Sequence, residues 1–393
     1  MRNKGNENSY GTAMMRILLI GNYDPNVLSM RTFADLLLTE LKKRDGVEVV
    51  RLQPWRLLGR LFPRTSVGKY FGYVDTLLIF PIALFFYTRL GRFDLVYICD
   101  HSNAIYAHWI GRLPCVVTCH DVLAICSALG EISENKTRWS GRLYQRWIAS
   151  GLLKARNIVC VSNETNREVD ALFGVGACQT WVIPNALSYA YEPMARVDAL
   201  PILQKVNLEH TPYILHVGSD AWYKNRTGVL NIAAELFRTP AFSKHKLMMV
   251  GASITPAERR QSQALNIEDR VIEGGRVEVE ELRAFYSFAD FLLFPSLREG
   301  FGWPILEAQA CGCVVVTTNR PPLSDVGGTA AIYIDPADPA GSVLHIVEGL
   351  EARGVRVSAG HSNVSQYTLP VMIDGYLAVF HEVVKRAETG AQA

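Results

Sequence analysis

Short apolar runs alternate along the chain with stretches whose apolar positions recur at helical spacing. Residues 16–20 (RILLI) run into Gly21, and after a loop at 22–26 residues 30–41 carry the helical interval. Further runs at 47–52, 94–99 (DLVYIC), 114–119 (PCVVTC) and 157–161 (NIVCV) read as strands apolar on both faces, the pattern of a parallel sheet covered by helices. The pattern loosens between 188 and 211, where Pro193, Pro201 and Pro212 punctuate it. It restarts with 213–217 (YILHV) before Gly218, then 247–250, 270–272, 291–295 and 313–318. Strands that alternate with helices build βαβ units. The reading is an α/β chain of two Rossmann-like halves facing each other across a cleft. Its parts are a lead at 1–14, an N-terminal domain at 15–190, a linker at 191–212, a C-terminal domain at 213–369, and a final helix at 370–393 packing back on the N-terminal half. Ligands of such sheets bind beyond the carboxyl ends of the strands.

Composition narrows the function. The 393 residues are 49% hydrophobic and 20% charged, which gives enough apolar content for two cores and excludes general disorder. Forty basic side chains against 38 acidic ones leave a net charge of +2, which argues against nucleic acid as a partner. Eight cysteines lie mostly in apolar runs, with no pair of CxxC motifs, so zinc is not expected and a reducing, cytoplasmic setting is. The 77–87 run (LLIFPIALFFY), interrupted by Pro81, falls short of the roughly 20 residues that span a bilayer and reads as a buried helix.

The chemistry concentrates in 294–322, FPSLREGFGWPILEAQACGCVVVTTNRPP: a strand, a glycine-rich turn, a helix and a second strand. Gly300 and Gly302 let the backbone turn and approach a ligand without a Cβ in the way. Pro304 suits the first turn of a helix and Gly312 its stop. The N–H groups of Ile305, Leu306 and Glu307 would then form an anion site, with a diphosphate as the obvious anion. A plain strand–helix junction with solvated acids is the alternative reading.

The segment resembles the E-x7-E signature of the retaining glycosyltransferases of family 4, the group 1 type with the GT-B fold, here Glu299 and Glu307. His120-Asp121, VSNET at 161–165, IPNAL at 183–187 (Ala186 where a glycine is usual) and HVGSDAWYKNR at 216–226 resemble its other landmarks in order. The resemblance implies that Glu307 binds the ribose of a nucleotide diphosphate sugar and that Glu299 faces the donor sugar. Lys224 would neutralise the leaving diphosphate, with Gly218 beside it. Main chain at Gly300, Phe301 and Gly302 would hold the sugar, that near Leu306 the diphosphate, and that at Val277 the base. His120 would face the sugar from the N-terminal domain, with Gly21, Asn22 and Asp121 on the acceptor side. Ser219 stands where the family usually has an Arg; Arg226 either compensates or lies in solvent. His120 also reads as an ordinary strand-end histidine, and Asp121 as a helix cap.

With no clustered ligand set, no metal or cofactor is expected. The implied reaction is hexosyl transfer, mannosyl from GDP-mannose as first reading, with retention. The implied acceptor is a hydroxyl of a lipid-linked glycan in surface or exported polysaccharide assembly. A sugar-nucleotide epimerase and a non-catalytic binding protein of the same fold are the alternatives. Arg51, Arg56, Arg60, Arg64 and Lys69, interleaved with Trp55, Leu57, Leu58, Leu61 and Phe62 without an acid, suit either an anionic membrane surface through the 51–87 region or a solvated basic face. Arg138, Arg142 and Arg146 recur at every fourth position and extend a basic face.

Overall fold

The structure, a computed structural model, describes residues 14–22, 28–55, 57–58 and 71–390. Most of the expected lead, and Arg56, Arg60, Leu61, Phe62, Arg64 and Lys69 of the basic segment, lie outside the described residues. Among the described residues twelve strands form two sheets, all of whose pairs are parallel. The first holds β1 (Met15–Ile20), β2 (Val47–Leu52), β3 (Leu95–Ile98), β4 (Cys115–Cys119), β5 (Asn157–Cys160) and β6 (Gln179–Val182), in the order β2-β1-β3-β4-β5-β6. The second holds β7 (Tyr213–Gly218), β8 (Lys246–Gly251), β9 (Val271–Gly275), β10 (Phe291–Phe294), β11 (Val314–Thr318) and β12 (Ile332–Ile334), in the order β12-β11-β10-β7-β8-β9. Strand order therefore reverses between β1 and β3 in one sheet and between β7 and β10 in the other. A ligand crevice opens at such switch points.

Burial explains which strands the pattern revealed. β3, β4, β10 and β11 are buried at every position, so their apolar runs are continuous. The edge strand β6 (QTWV) is only partly buried and carries no such run, and β12 (IYI), buried at Ile332 and Ile334, is only three residues long; neither is among the expected strands. Between the sheets, the stretch expected to be a linker contains the helix Arg196–Lys205 with Pro201 inside it. Ala199 and Leu203 bury in the second domain's core, which outweighs the backbone bond the proline forgoes.

The 77–87 run is part of a longer element. The chain is helical from Phe71 to Leu90, long and apolar enough by length and composition to cross a membrane. Pro81 does not break it, because a π turn at Asp75–Ile79 precedes the proline and relaxes the bonding ladder there. This helix is only partly buried, where a buried one was expected. Phe80 and Leu84 enter the core cluster with Ile105 and Tyr106, while Leu78 and Phe86 are exposed.

The helix Leu369–Glu388 returns to the first domain. Met372, Ile373, Tyr376, Phe380 and Val383 pack with Ile17, Leu19 and Phe33 beneath the sheet. The fully buried Tyr376 hydroxyl sits 3.0 Å from Thr118 Oγ1, itself 2.7 Å from the Tyr97 hydroxyl, so three buried polar groups satisfy one another. Tyr376→Ala should cost about 3–5 kcal/mol by cavity formation and leave Thr118 and Tyr97 one partner short. Urea unfolding followed by tryptophan fluorescence should show the first transition shifted to lower urea; an unchanged midpoint would mean this helix is not part of the N-terminal core.

Candidate functional site

The loop after β7 is built to carry a lysine. A 3-10 turn at Trp222–Lys224 ends at Asn225 in the left-handed conformation (φ 53), and the Asn225 side chain caps the helix Arg226–Arg238 by accepting from Gly228 N–H. Two cross-links join this turn to the loop after β10: Asn225 Nδ2 donates to the Pro295 carbonyl at 3.1 Å, and Leu297 N–H to the Tyr223 carbonyl at 2.8 Å. Glu299 follows two residues later. Lys224 Nζ donates to Glu299 Oε1 at 2.6 Å, with side chains 14% and 9% exposed. The ammonium also lies 4.9 Å from the Phe294 ring centroid. Screening by water is small there, so this pair sets the local field.

Gly300, next to Glu299, lies against the other domain. A Cβ on it would fall 1.7 Å from the His120 carbonyl oxygen, so the backbone approach requires glycine. Thr165 Oγ1 donates to the Gly300 carbonyl at 3.3 Å from the same side. His120 is buried, with Nε2 3.0 Å from the Cys99 carbonyl and the Phe33 ring edge-on at 4.8 Å. A carbonyl only accepts, so Nε2 carries the hydrogen. Burial lowers the His120 pKa despite the neighbouring Asp100, which keeps the ring neutral. His120 therefore meets the Glu299 loop through its backbone, while its ring is anchored inside its own domain.

Gly302 (φ 109) turns the chain into the helix Trp303–Ala310. The anion site expected on three N–H groups is smaller than the sequence suggests: Ile305 N–H already donates to the Gly302 carbonyl at 3.0 Å, and Pro304 has none to offer. Leu306 and Phe301 are core residues of the second domain, and Val277 packs partly buried against that core. Trp303 Nε1 donates to the Ala186 carbonyl at 3.2 Å, tying the helix start to the IPNAL segment.

Glu307 is held by two tyrosines the sequence did not single out. Tyr286 donates its hydroxyl to Glu307 Oε2 at 2.8 Å, and Tyr191 bonds the same carboxyl. Burial raises the Glu307 pKa to about 7, against the opposing pull of Tyr286, Lys224 and Tyr191. In the helix Val279–Phe288, Tyr286 lies in a row of core aromatics, and no sequence signal separates its hydroxyl from packing. Tyr191 falls in the loosened stretch after 188, beside Tyr189, where nothing in the sequence marks it out.

On the N-terminal wall, Gly21 passes under the Arg51 guanidinium. Asn22 Nδ2 donates to Asp100 Oδ2 at 2.7 Å, and Asn103 Nδ2 donates to Asn22 Oδ1. Asp121 Oδ1 accepts from Leu123 N–H at 3.0 Å, so it serves the start of the next helix. Gly218 lies against the Lys224 side chain and His216 Nε2. Arg226 neither reaches the Ser219 position nor lies in solvent. It is buried, with Nε 2.9 Å from Glu258 Oε1 and Nη1 donating to the Ala252 carbonyl at 2.9 Å.

Several expected site residues thus sit at the carboxyl ends of strands from both sheets: Gly21 and Asn22 after β1, Gly218 at the end of β7 with Lys224 after it, and Glu299 to Gly302 after β10 flank the switch points, while His120 follows β4, two strands from β1. Beside Glu299, a cleft of about 440 Å³ is lined by Glu131, Glu164 and Glu168 of one domain and by Arg298 and Arg320 of the other. Burial lifts the Glu168 pKa to about 7, opposed by Arg298, whose Nη2 lies 3.5 Å away. Among the described residues no group of three or more His, Cys, Asp or Glu could hold a metal ion.

Two protein-family models match parts of the chain. Residues 30–190 match the model of glycosyltransferase family 4, and residues 201–356 that of the glycosyl transferases group 1. An O-antigen chain mannosyltransferase B from Escherichia coli is 28% identical over 280 residues, 69% of this chain and 71% of that protein. The O-antigen chain mannosyltransferase RfbU of Salmonella typhimurium is 30% identical over 244 residues, 60% of this chain and 64% of its own length. Among solved structures, Anabaena Alr3699/HepE in complex with UDP and glucose superposes with a TM-score of 0.68 at 16% identity, covering 96% of this chain and all of that one.

The Gly300 approach is directly testable. Gly300 is not among the positive-φ glycines, so alanine is tolerated by its own backbone but not by His120 in the closed cleft. Gly300→Ala should lower turnover about a hundredfold or more, since misplacing reacting groups by an ångström costs that much. The thermal midpoint should move little, because the domains can part. Turnover within a factor of about two of the parent would show that catalysis does not need this contact.

Proposed function

Because the chain belongs to the group 1 glycosyltransferases of family 4, with the two-domain GT-B fold, we propose that it moves a hexosyl unit, mannosyl from GDP-mannose, from a nucleotide diphosphate sugar to a hydroxyl of a lipid-linked glycan, with retention at the anomeric carbon. The observation that carries the reading is the enclosed Lys224–Glu299 pair, 2.6 Å apart, beside the loop that packs on His120. Breaking the bond between the anomeric carbon and the phosphate oxygen puts negative charge on the diphosphate. An ammonium already in place stabilises that charge without reorganisation. Lys224 supplies the positive charge that other transferases take from a divalent metal, so the reaction runs without one. Glu299, released as Lys224 turns to the diphosphate, accepts a hydrogen bond from a sugar hydroxyl and stabilises positive charge at the anomeric carbon. The acceptor oxygen attacks from the leaving-group face as that bond breaks, and its proton passes to the departing phosphate oxygen. The two O-antigen mannosyltransferases support mannose and a glycan acceptor; with a lipid-linked acceptor, the proposed setting is the cytoplasmic face of the membrane.

The donor reading is tested by thermal midpoints with GDP-mannose and with UDP-, ADP- and dTDP-sugars, for the parent and Lys224→Ala. GDP-mannose alone should raise the midpoint, and the substitution should remove most of the rise. The product linkage read by NMR should keep the donor's anomeric configuration. A nucleotide sugar isomerised without acceptor would make the protein an epimerase.

Glu307 adds a pH dependence. Its folded pKa of about 7 lies above the ordinary carboxyl value, so the free protein gains stability from the protonated form and loses it as pH rises through about 7. Accepting hydrogen bonds from both ribose hydroxyls favours the carboxylate, so donor affinity should rise over the same interval. Calorimetric titration of the nucleotide between about pH 6 and pH 8 should show that rise in the parent and a flat profile in Glu307→Gln. Parallel profiles in the two proteins would remove Glu307 from the ribose site.

A further inference from the structure

The helix Phe71–Leu90 carries two apolar stripes, and one of them faces outward. Phe80, Leu84 and Thr88 are buried at every fourth position and hold the helix to its domain. Leu78, Ile82, Phe86 and Leu90, offset by half a turn, are 57%, 47%, 56% and 83% exposed. The only acid in this helix, Asp75, is buried. Tyr144 of the helix Trp139–Ala155 feels Tyr73 of this helix, and both helices meet the 3-10 segment His101–His108, whose Tyr106 hydroxyl donates to the Thr76 carbonyl at 3.2 Å and feels Tyr144, so the two helices lie on one side of the domain.

The second helix presents Trp139 and Leu143, 80% and 62% exposed, beside the exposed Arg138, Arg142 and Arg146. Residues 136–154 contain five basic side chains and no acid, and none of the ion pairs among the described residues involves these three arginines. An apolar stripe next to unpaired cations matches the two layers of an anionic membrane surface, acyl chains below and phosphates above. Phe80 and Leu84 are locked in the core, so the helix lies along a bilayer although its length would let it cross one.

We propose that the face formed by Phe71–Leu90 and Trp139–Ala155 docks on an anionic lipid bilayer, with Leu78, Ile82, Phe86 and Leu90 in the acyl boundary and Arg138, Arg142 and Arg146 at the phosphates. The inference rests on this surface and not on the donor or acceptor reading. Leu78, Ile82 and Phe86 belong to the 51–87 region expected to meet lipid, four of whose five basic residues lie outside the described residues.

Sedimentation of the full chain with vesicles tests it. The parent should pellet with phosphatidylcholine vesicles containing about a third phosphatidylglycerol and stay in solution with phosphatidylcholine alone. Leu78→Asp with Phe86→Asp should abolish pelleting at any salt concentration. Arg138→Gln, Arg142→Gln and Arg146→Gln together should weaken it about a hundredfold at low salt, at about fivefold per arginine. All five positions are exposed, so thermal midpoints should match the parent, and transfer to a water-soluble acceptor should be unchanged. A parent that ignores anionic vesicles, or variants that bind them as the parent does, would overturn the proposal. So would a parent dimer in velocity sedimentation that Leu78→Asp with Phe86→Asp converts to monomer without any lipid binding, since the face would then belong to a second copy of the chain.

Discussion

The approach of Gly300 to the His120 carbonyl is the constraint on which the rest of the site depends. Two sheets built separately must bring their switch points together, and the distance at which they meet is set by an absent side chain. Once the backbones touch, Glu299 is held in the cleft, Thr165 fixes the loop's carbonyl, and Lys224 has one anionic partner within reach. The cross-links from Asn225 and Leu297 make the lysine turn and the glutamate loop a single unit. Domain closure therefore places a preassembled pair against the N-terminal wall.

A buried ion pair does not by itself stabilise a protein, because desolvating two charges offsets most of their attraction. Its value in the proposed reaction is chemical: an ammonium enclosed beside a carboxylate can exchange that partner for a diphosphate. Arg226 shows the contrasting case. It sits two residues from Lys224, yet the helix turn carries it inward to Glu258, where its charge supports the helix Pro256–Ala264 rather than the cleft. Ser219 offers no second cation, so in the proposed reaction Lys224 carries the leaving-group charge.

The two acids of the E-x7-E segment sit in different environments. Glu299 faces a cation, whereas Glu307 faces two neutral tyrosine hydroxyls and loses its hydration, which lifts its pKa toward neutrality. One helix start thus offers a charge-paired carboxylate and a proton-sensitive one, which the proposed reaction assigns to the sugar and the nucleoside. The first domain contributes geometry more than charge: a neutral His120, an Asn22–Asp100–Asn103 network, and an outer face of apolar residues and arginines remote from the chemistry.

Apolar runs revealed the central strands because both faces of a parallel sheet are buried, and the order of short motifs placed Lys224, Glu299, Glu307 and His120 in one cleft. Those properties are local: hydrophobic burial writes itself into contiguous residues, and glycine turns and helix caps act within a few positions. The edge strands β6 and β12, the helix at Arg196–Lys205 and the full length of Phe71–Leu90 escaped the sequence pattern, because a half-exposed strand or one of three residues has no long run and a proline reads as a break wherever packing is unseen. The tyrosines on Glu307, the inward turn of Arg226 and the anchored His120 ring were decided only by tertiary structure. In each case a side chain's role depends on a partner distant in sequence, and no spacing along the chain encodes that meeting.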